Sequence, residues 1–221
     1  MLSIQSELVT IQAGPAQMHG MLEMPADPIG MVLFAHGSGS SRLSPRNNYV
    51  AGELREAHMG TLLLDLLTPQ EDQNYQTRFD IGLLSQRLGK AADWLLQYEV
   101  TRSLRLGLFG ASTGAAAALR LAAARADDIV AVVSRGGRPD MAGREALEKV
   151  RAPTMLIVGG ADHAVIDLNH VAYALLHCEK RIAIVPGATH LFEEPGALQE
   201  AAEMAAAWFG RHFQWRESHR R

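Results

Sequence analysis

Ser112 stands in the run Leu106 to Gly114, "LGLFGASTG", where an apolar stretch ends in Gly-x-Ser-x-Gly and an alanine-rich stretch follows at once. A serine hydroxyl is a poor nucleophile until a base takes its proton. His190, in "IVPGATHLF", offers that base, and Asp162, in "MLIVGGAD", offers a carboxylate to orient the imidazole and stabilise its charged form. Together the three would perform acyl transfer. Each also has a plainer reading: Ser112 as a helix N-cap, His190 as a packing or capping residue, and Asp162 as a turn or cap residue. Asp65, ending "TLLLD", is a second candidate acid or a loop anchor.

A tetrahedral intermediate needs backbone N–H groups around its oxyanion. Thr113, next after the nucleophile, supplies one. The small-residue loop His36 to Ser41, "HGSGSS", supplies the other, assigned to Ser38 with Gly37 as the alternative. His36 is expected to tie that loop down rather than act as base, and His163 is expected at the surface. Arg135 and Arg42 are the candidate substrate-binding residues. With Arg46 and Arg138 they lie on loops near the same edge and could pair with a substrate carboxylate, or be simple surface arginines.

Other chemistries lack their signatures. The nine histidines show neither His-x-x-x-His nor His-Glu-x-x-His spacing, so no metal site is expected. The glycine-rich loop lacks a Gly-Lys-Ser/Thr ending and a Gly-x-Gly-x-x-Gly pattern. The lone Cys178, in "ALLHCEKR", is read as structural.

These residues need a frame. Ser3 to Ile11 and Gln17 to Met24 read as a strand pair. Strands then alternate with helical patterns from Met31 to Phe213, which argues for an α/β fold with a mostly parallel sheet covered on both faces. Ligands bind beyond the carboxyl ends of such strands. His36, Ser112, Asp162 and His190 each follow an apolar run closely, so one sheet edge would gather them. Leu67 to Arg78 reads as a polar loop, long enough for a lid or rim, and Arg135 to Val150 as a loop with one short helix. No linker, repeat or low-complexity tract divides the chain, so residues 1–221 are expected to form a single domain.

The formal net charge is −3. Nucleic acid and anionic membranes call for a concentrated positive field, so neither is an expected partner. Arg211, Arg216, Arg220 and Arg221, interleaved with His212 and His219, read as a frayed, solvated tail. The N-terminus lacks a signal-peptide pattern, and no apolar run approaches the ~18 residues of a membrane span. A cytoplasmic protein is expected, as monomer or homodimer, acting on a small molecule.

The chain order Ser, Asp, His resembles that of α/β-hydrolases, and the segments "LFAHGSGSSRLSPRN", "TLLLDLLTPQE", "GLFGASTGAAAAL", "AVVSRGGRPD", "APTMLIVGGAD" and "IVPGATHLFEEPGAL" resemble the dienelactone-hydrolase-like group. The resemblance covers about Met31 to Trp208. It implies a mostly parallel sheet of about eight strands, a serine- or cysteine-centred triad, and no cofactor; no large cap domain is expected, since no long insertion follows the strand ending near Ser134. One departure stands out. Dienelactone hydrolase itself carries cysteine at the elbow, where this chain has Ser112, which puts dienelactone in doubt as substrate but leaves acyl transfer intact. Similar sequences are also joined to phosphoribosyltransferase domains; none is expected within these residues.

The expectation is a serine hydrolase of a small ester, lactone or thioester. The alternatives are an acyltransferase or perhydrolase using the same triad, and a catalytically weak relic that binds or assembles.

Overall fold

The computed structural model describes residues 3–214. An antiparallel hairpin comes first: β1 (Ile4–Ala13) and β2 (Ala16–Pro25), turned by Gly14 and Pro15. Six further strands follow: β3 (Gly30–Ala35), β4 (Met59–Leu64), β5 (Leu106–Ala111), β6 (Ile129–Arg135), β7 (Thr154–Gly159) and β8 (Lys180–Val185). They form one eight-stranded sheet in the order β1-β2-β4-β3-β5-β6-β7-β8. β2 pairs antiparallel with β4, and every pair from β4 to β8 is parallel. This is the expected α/β-hydrolase architecture.

The inner strands are buried along nearly their whole length and mostly apolar, so successive side chains feed opposite faces. From β3, Met31, Leu33 and Ala35 join one core with helices α3 (Ile81–Gln97), α4 (Thr113–Ala124), α5 (Arg144–Lys149) and α6 (His163–Leu175). Val32 and Phe34 join the other, with α1 (Pro45–Glu56) and α7 (Ala197–Gln214). Helices therefore cover both faces.

The chain leaves β3 for β4 on one side and later places β5 on its other side. Strand order reverses there, and the crevice at such a point is where open α/β sheets hold ligands. The His36 loop and Ser112 leave the sheet from these two strands.

Alanine in α4 has a geometric reason. Ala115 to Ala118 are fully buried, and Gly114 lies so close to β3 that a Cβ would come within 2.1 Å of the Ala35 carbonyl oxygen. Only a helix with minimal side chains on that face can sit this near the sheet.

Two expectations change. The polar stretch Leu67 to Arg78 contains helix α2 (Pro69–Asp72) and a 3₁₀ turn at Thr77–Phe79. The Thr68 hydroxyl accepts from the Glu71 N–H, and the Glu71 carboxylate accepts from the Thr68 N–H, a reciprocal capping box. Arg87 of α3 clamps Glu71 at 2.6 Å and 3.3 Å. The segment is thus anchored. The 135–150 stretch holds a 3₁₀ turn, Pro139–Ala142, besides the expected short helix α5.

At the chain's end, Arg211 and His212 belong to α7 rather than to a frayed tail. Arg211 pairs with Glu179 at 3.1 Å, and His212 is buried against Trp208. Arg216, His219, Arg220 and Arg221 lie outside the described residues. Among the described residues, no helix is long and apolar enough to cross a membrane.

Candidate active site

β5 ends at Ala111 and α4 begins at Thr113, which leaves Ser112 alone to make the turn. Its backbone sits at φ 50°, ψ −123°, a region costly for a residue with a side chain. Surrounding bonds hold it there. The Ser112 N–H donates to the Arg135 carbonyl at 3.3 Å, and the Ser112 carbonyl accepts from Ala115 and Arg138 at 3.1 Å and 3.0 Å. Ser112 occupies the N-cap position, yet its hydroxyl makes no capping bond. The capping explanation for this serine fails.

Asp162 shows the same pattern. It stands at the N-cap of α6 without a side-chain capping bond. Its carboxylate instead meets His190, Nδ1 to Oδ2, at 2.7 Å. A carboxylate only accepts, so Nδ1 supplies the hydrogen of that bond. The loop carrying His190 is braced from within: Thr189 donates its N–H and its hydroxyl to Glu194 at 3.0 Å and 2.6 Å. Phe192, at φ 56°, turns the chain and buries its ring completely.

Ser112 and His190 line one cavity of about 190 Å³. Ser38 and Gly37 of the glycine-rich loop line it too. A Cβ on Gly37 would come within 2.9 Å of the Ser112 Cβ, so glycine lets that loop approach Ser112. Ser40, Ser44, Arg46, Asn47 and Arg135 complete much of the wall. In this structure the Ser112 hydroxyl makes no hydrogen bond to His190; the two share the cavity without yet engaging.

The loop expectations can be placed individually. Thr113 is buried at the first position of α4. The Ser38 N–H donates to the Thr113 hydroxyl at 2.9 Å, so the second expected oxyanion donor rests on a side chain of the first. His36 is buried and ties two strand ends together. Its Nδ1 meets the Gly37 carbonyl at 2.9 Å, and its Nε2 accepts from the Leu66 N–H at 3.1 Å. Burial lowers its pKa, opposed by the Gly37 carbonyl. His163 is exposed at the surface, as expected.

Three other candidates, Asp65, Arg42 and Arg138, do not line the Ser112 cavity. Asp65 is bonded to the Arg42 guanidinium and accepts from the Arg42 N–H at 2.7 Å. It anchors the loop and does not reach His190. Arg42, expected to bind substrate, is thereby committed to Asp65. It lines a separate cleft with Thr68 and Asp72, because the loop turns its side chain away from Ser112. Arg138 pairs with Asp140 at 2.8 Å. Arg135 does line the Ser112 cavity.

The sequence reading passed over Asn47, Ser44 and Glu194. Ser44 caps α1, accepting from the Asn47 N–H at 3.3 Å, with Pro45 at the first helical position. That Ser-Pro pair was a readable helix start, and it would have put Asn47 beside the cavity. Glu194 had no comparable signal. Among the described residues, no group of acidic, histidine or cysteine side chains is arranged to hold a metal.

The model of the dienelactone hydrolase family matches residues 61–219. The chain belongs to the dienelactone hydrolase family. A solved dienelactone hydrolase from Anabaena variabilis is 52% identical, with 95% of this chain and 98% of that one covered and a TM-score of 0.91. Est1E from Butyrivibrio proteoclasticus shares the fold at 14% identity, with 91% and 97% covered and a TM-score of 0.78. Two Mycobacterium tuberculosis proteins named for phosphoribosyl transfer are 52% identical over 209 residues, which is 95% of this chain and 47% of theirs. The chain therefore spans about half the length of these curated relatives. Membership in the dienelactone hydrolase family supports a hydrolase of ester type.

Proposed function

We propose that this chain is a serine hydrolase of a small ester, lactone or thioester, working through an acyl-enzyme on Ser112. The observation that carries this reading is the 2.7 Å bond from His190 to Asp162, on the wall of the cavity into which strained Ser112 is displayed. Ser112 Oγ attacks the carbonyl carbon, and its proton passes to His190 Nε2. Asp162 keeps the imidazole in the tautomer that can accept and stabilises the imidazolium that results.

Charge then develops on the carbonyl oxygen. The Thr113 N–H, at the positive end of α4, is one donor for it. The Ser38 N–H is the second and exchanges its resting bond to the Thr113 hydroxyl for the oxyanion. His190 returns the proton to the leaving oxygen or sulfur. A water molecule repeats the sequence and frees the acid. No cofactor is required by these steps. A cavity of about 190 Å³ suits a compact substrate.

Steady-state and burst kinetics on p-nitrophenyl acetate test the assignment. Wild type should show a burst of nitrophenolate followed by slower turnover. Ser112→Ala and His190→Ala should each lose activity by at least about 10³-fold. Asp162→Asn should lose about as much with the fold intact, since the wrong tautomer is then favoured. Undiminished turnover in Ser112→Ala would refute the assignment. A burst without turnover would favour the binding or acyl-holding alternative. Competing alcohols, amines or peroxide that redirect the acyl group would show transfer to acceptors other than water.

A further inference from the structure

One buried polar side chain takes no part in the hydrolytic steps. Asn169 lies about two turns along α6 from Asp162, and it has no exposed surface. A buried amide forfeits water, so its bonds must be found within the protein. Its Nδ2 donates to the Gly137 carbonyl at 3.0 Å and to the Val165 carbonyl, one turn back on α6, at 2.8 Å. Both partners are carbonyl oxygens, so the nitrogen must face them and the amide orientation is fixed. Oδ1 is left buried with no partner among the described residues. Asn169 therefore stands here as a donor, at the cost of an unmet acceptor. The Val165 carbonyl already belongs to the helix's own ladder. The Gly137 carbonyl lies outside any helix or strand, and the Asn169 amide supplies its bond.

Gly137 matters because of what its neighbours hold. Residues 135–138 leave β6 and run past Ser112. The Arg135 carbonyl accepts from the Ser112 N–H, and the Arg138 N–H donates to the Ser112 carbonyl. One short loop thus grips the strained serine on both sides. The Gly136 N–H ties the start of this loop to the Ile157 carbonyl of β7 at 2.8 Å. The packing leaves no slack. A Cβ on Gly137 would meet Ser134 Oγ at 1.9 Å and Ala115 Cβ at 2.6 Å. A Cβ on Gly136, itself at φ 51°, would meet the His190 carbonyl oxygen at 3.0 Å. The two glycines therefore sit against the elbow helix on one side and His190 on the other.

We propose that Asn169 is a positioning residue for the nucleophile, a role that rests on the acyl-enzyme reading of Ser112. Its bond to Gly137 fastens the loop that grips Ser112 to the helix that opens at Asp162, the partner of His190. Nucleophile, base and acid are thereby referred to one rigid element, α6. Without the bond the loop keeps its ties at Arg135 and Gly136 but loses its hold at Gly137, next to the residue that fixes the Ser112 carbonyl. Ser112 then relaxes from φ 50°, and its hydroxyl shifts relative to His190. A shift of about 1 Å costs up to about 10²-fold in rate, although Asn169 touches no substrate.

Pre-steady-state kinetics on p-nitrophenyl acetate, with the rate of fluorophosphonate labelling, test the role. Burst amplitude counts the folded sites, and each variant is assayed well below its melting temperature. Asn169→Leu keeps the shape and removes the donor. Asn169→Ser keeps a hydroxyl able to bond back to Val165 but is too short to reach Gly137. Ala172→Gly, one turn further along α6 and equally buried, weakens the same helix and leaves the Asn169 bond in place. Both Asn169 variants should lower the burst rate constant and the labelling rate by about tenfold or more. The ester concentration that gives half the maximal burst rate should shift by less than about twofold, since ground-state binding is untouched. Ala172→Gly should melt earlier and keep both rates within about twofold of wild type. Should Asn169→Leu fail to fold, Asn169→Ser and Ala172→Gly carry the comparison. Wild-type rates in Asn169→Ser, or a loss in Ala172→Gly as large as in the Asn169 variants, would overturn the positioning role. Labelling of Ser112→Ala at the wild-type rate would instead overturn the acyl-enzyme reading itself.

Discussion

His36 shows how one side chain sets the position of the loop that lines the Ser112 cavity. It joins the end of β3 to the residues after β4 through Gly37 and Leu66. The imidazole must be neutral to accept from the Leu66 N–H, and burial holds its pKa below the ordinary value. As pH falls below about 6.5, the unfolded chain takes up the proton before the folded one does. Stability from this group is therefore present above that pH and lost as pH drops toward the folded value. Thermal unfolding should show a falling melting temperature below about pH 6.5. His36→Ala, leaving the Leu66 N–H and Gly37 carbonyl unpaired, should cost about 1–3 kcal/mol at pH 8 and flatten that acid slope. An unchanged slope would remove His36 from the explanation. Cys178 supplies a second prediction at this scale. It is partly buried and burial raises its thiol pKa. Iodoacetamide at neutral pH should alkylate it far more slowly in native protein than in denatured protein, as measured by mass spectrometry. Residue types and chain order made Ser112, His190 and Asp162 legible in the sequence. The meeting of His190 with Asp162 was legible too, because each follows a strand end. The direction of Arg42 was not. An arginine on a glycine- and serine-rich loop can turn to either side, and only the tertiary position of Asp65 settled which.

Between β5 and α4 the constraint is one of distance. Gly114 faces the Ala35 carbonyl oxygen so closely that a Cβ would sit 2.1 Å away. Gly114→Ala should destabilise the chain by about 3 kcal/mol or more, since backbone must move on both sides. Denaturant melts at equal protein concentration measure this, and a loss below about 1 kcal/mol would mean the elbow is softer than described. The segment around α2 makes the opposite prediction. It backs the glycine-rich loop, with Leu67, Asp72 and Arg78 against Gly37 and Gly39, but it does not line the Ser112 cavity. Glu71→Ala removes the capping box and the Arg87 clamp and should lower stability by roughly 1–2 kcal/mol, with kcat on a small ester changed less than threefold. A collapse of activity at intact stability would show instead that this segment acts as a lid. Helices and strands were legible here because period and length agreed with tertiary need. The short α2 was hidden, since a proline and three polar residues carry no periodicity, although the Thr68–Glu71 pair marked its start.

The whole molecule adds what no segment shows by itself. Strand order puts β3 and β5 side by side, so a loop near residue 37 meets a serine at 112, while β7 and β8 bring Asp162 to His190. Alternating strands and helices announced a parallel sheet but not which strands adjoin, because pairing order depends on crossovers that hydrophobic period does not encode. We expect residues 1–221 to unfold in one cooperative denaturant transition, with fluorescence and far-ultraviolet circular dichroism coinciding; separated transitions would mean two units. Relatives about twice this length carry the same half, so activity should be compared in any longer protein containing it. The central claim is that this fold presents Ser112 as a nucleophile activated by His190. Intact-protein mass spectrometry after treatment with a fluorophosphonate tests it most directly. One adduct should form on native protein and map to the peptide containing Ser112. It should be absent in Ser112→Ala and strongly slowed in His190→Ala. Equal labelling of wild type and Ser112→Ala, or an adduct mapped to another residue, would contradict the account.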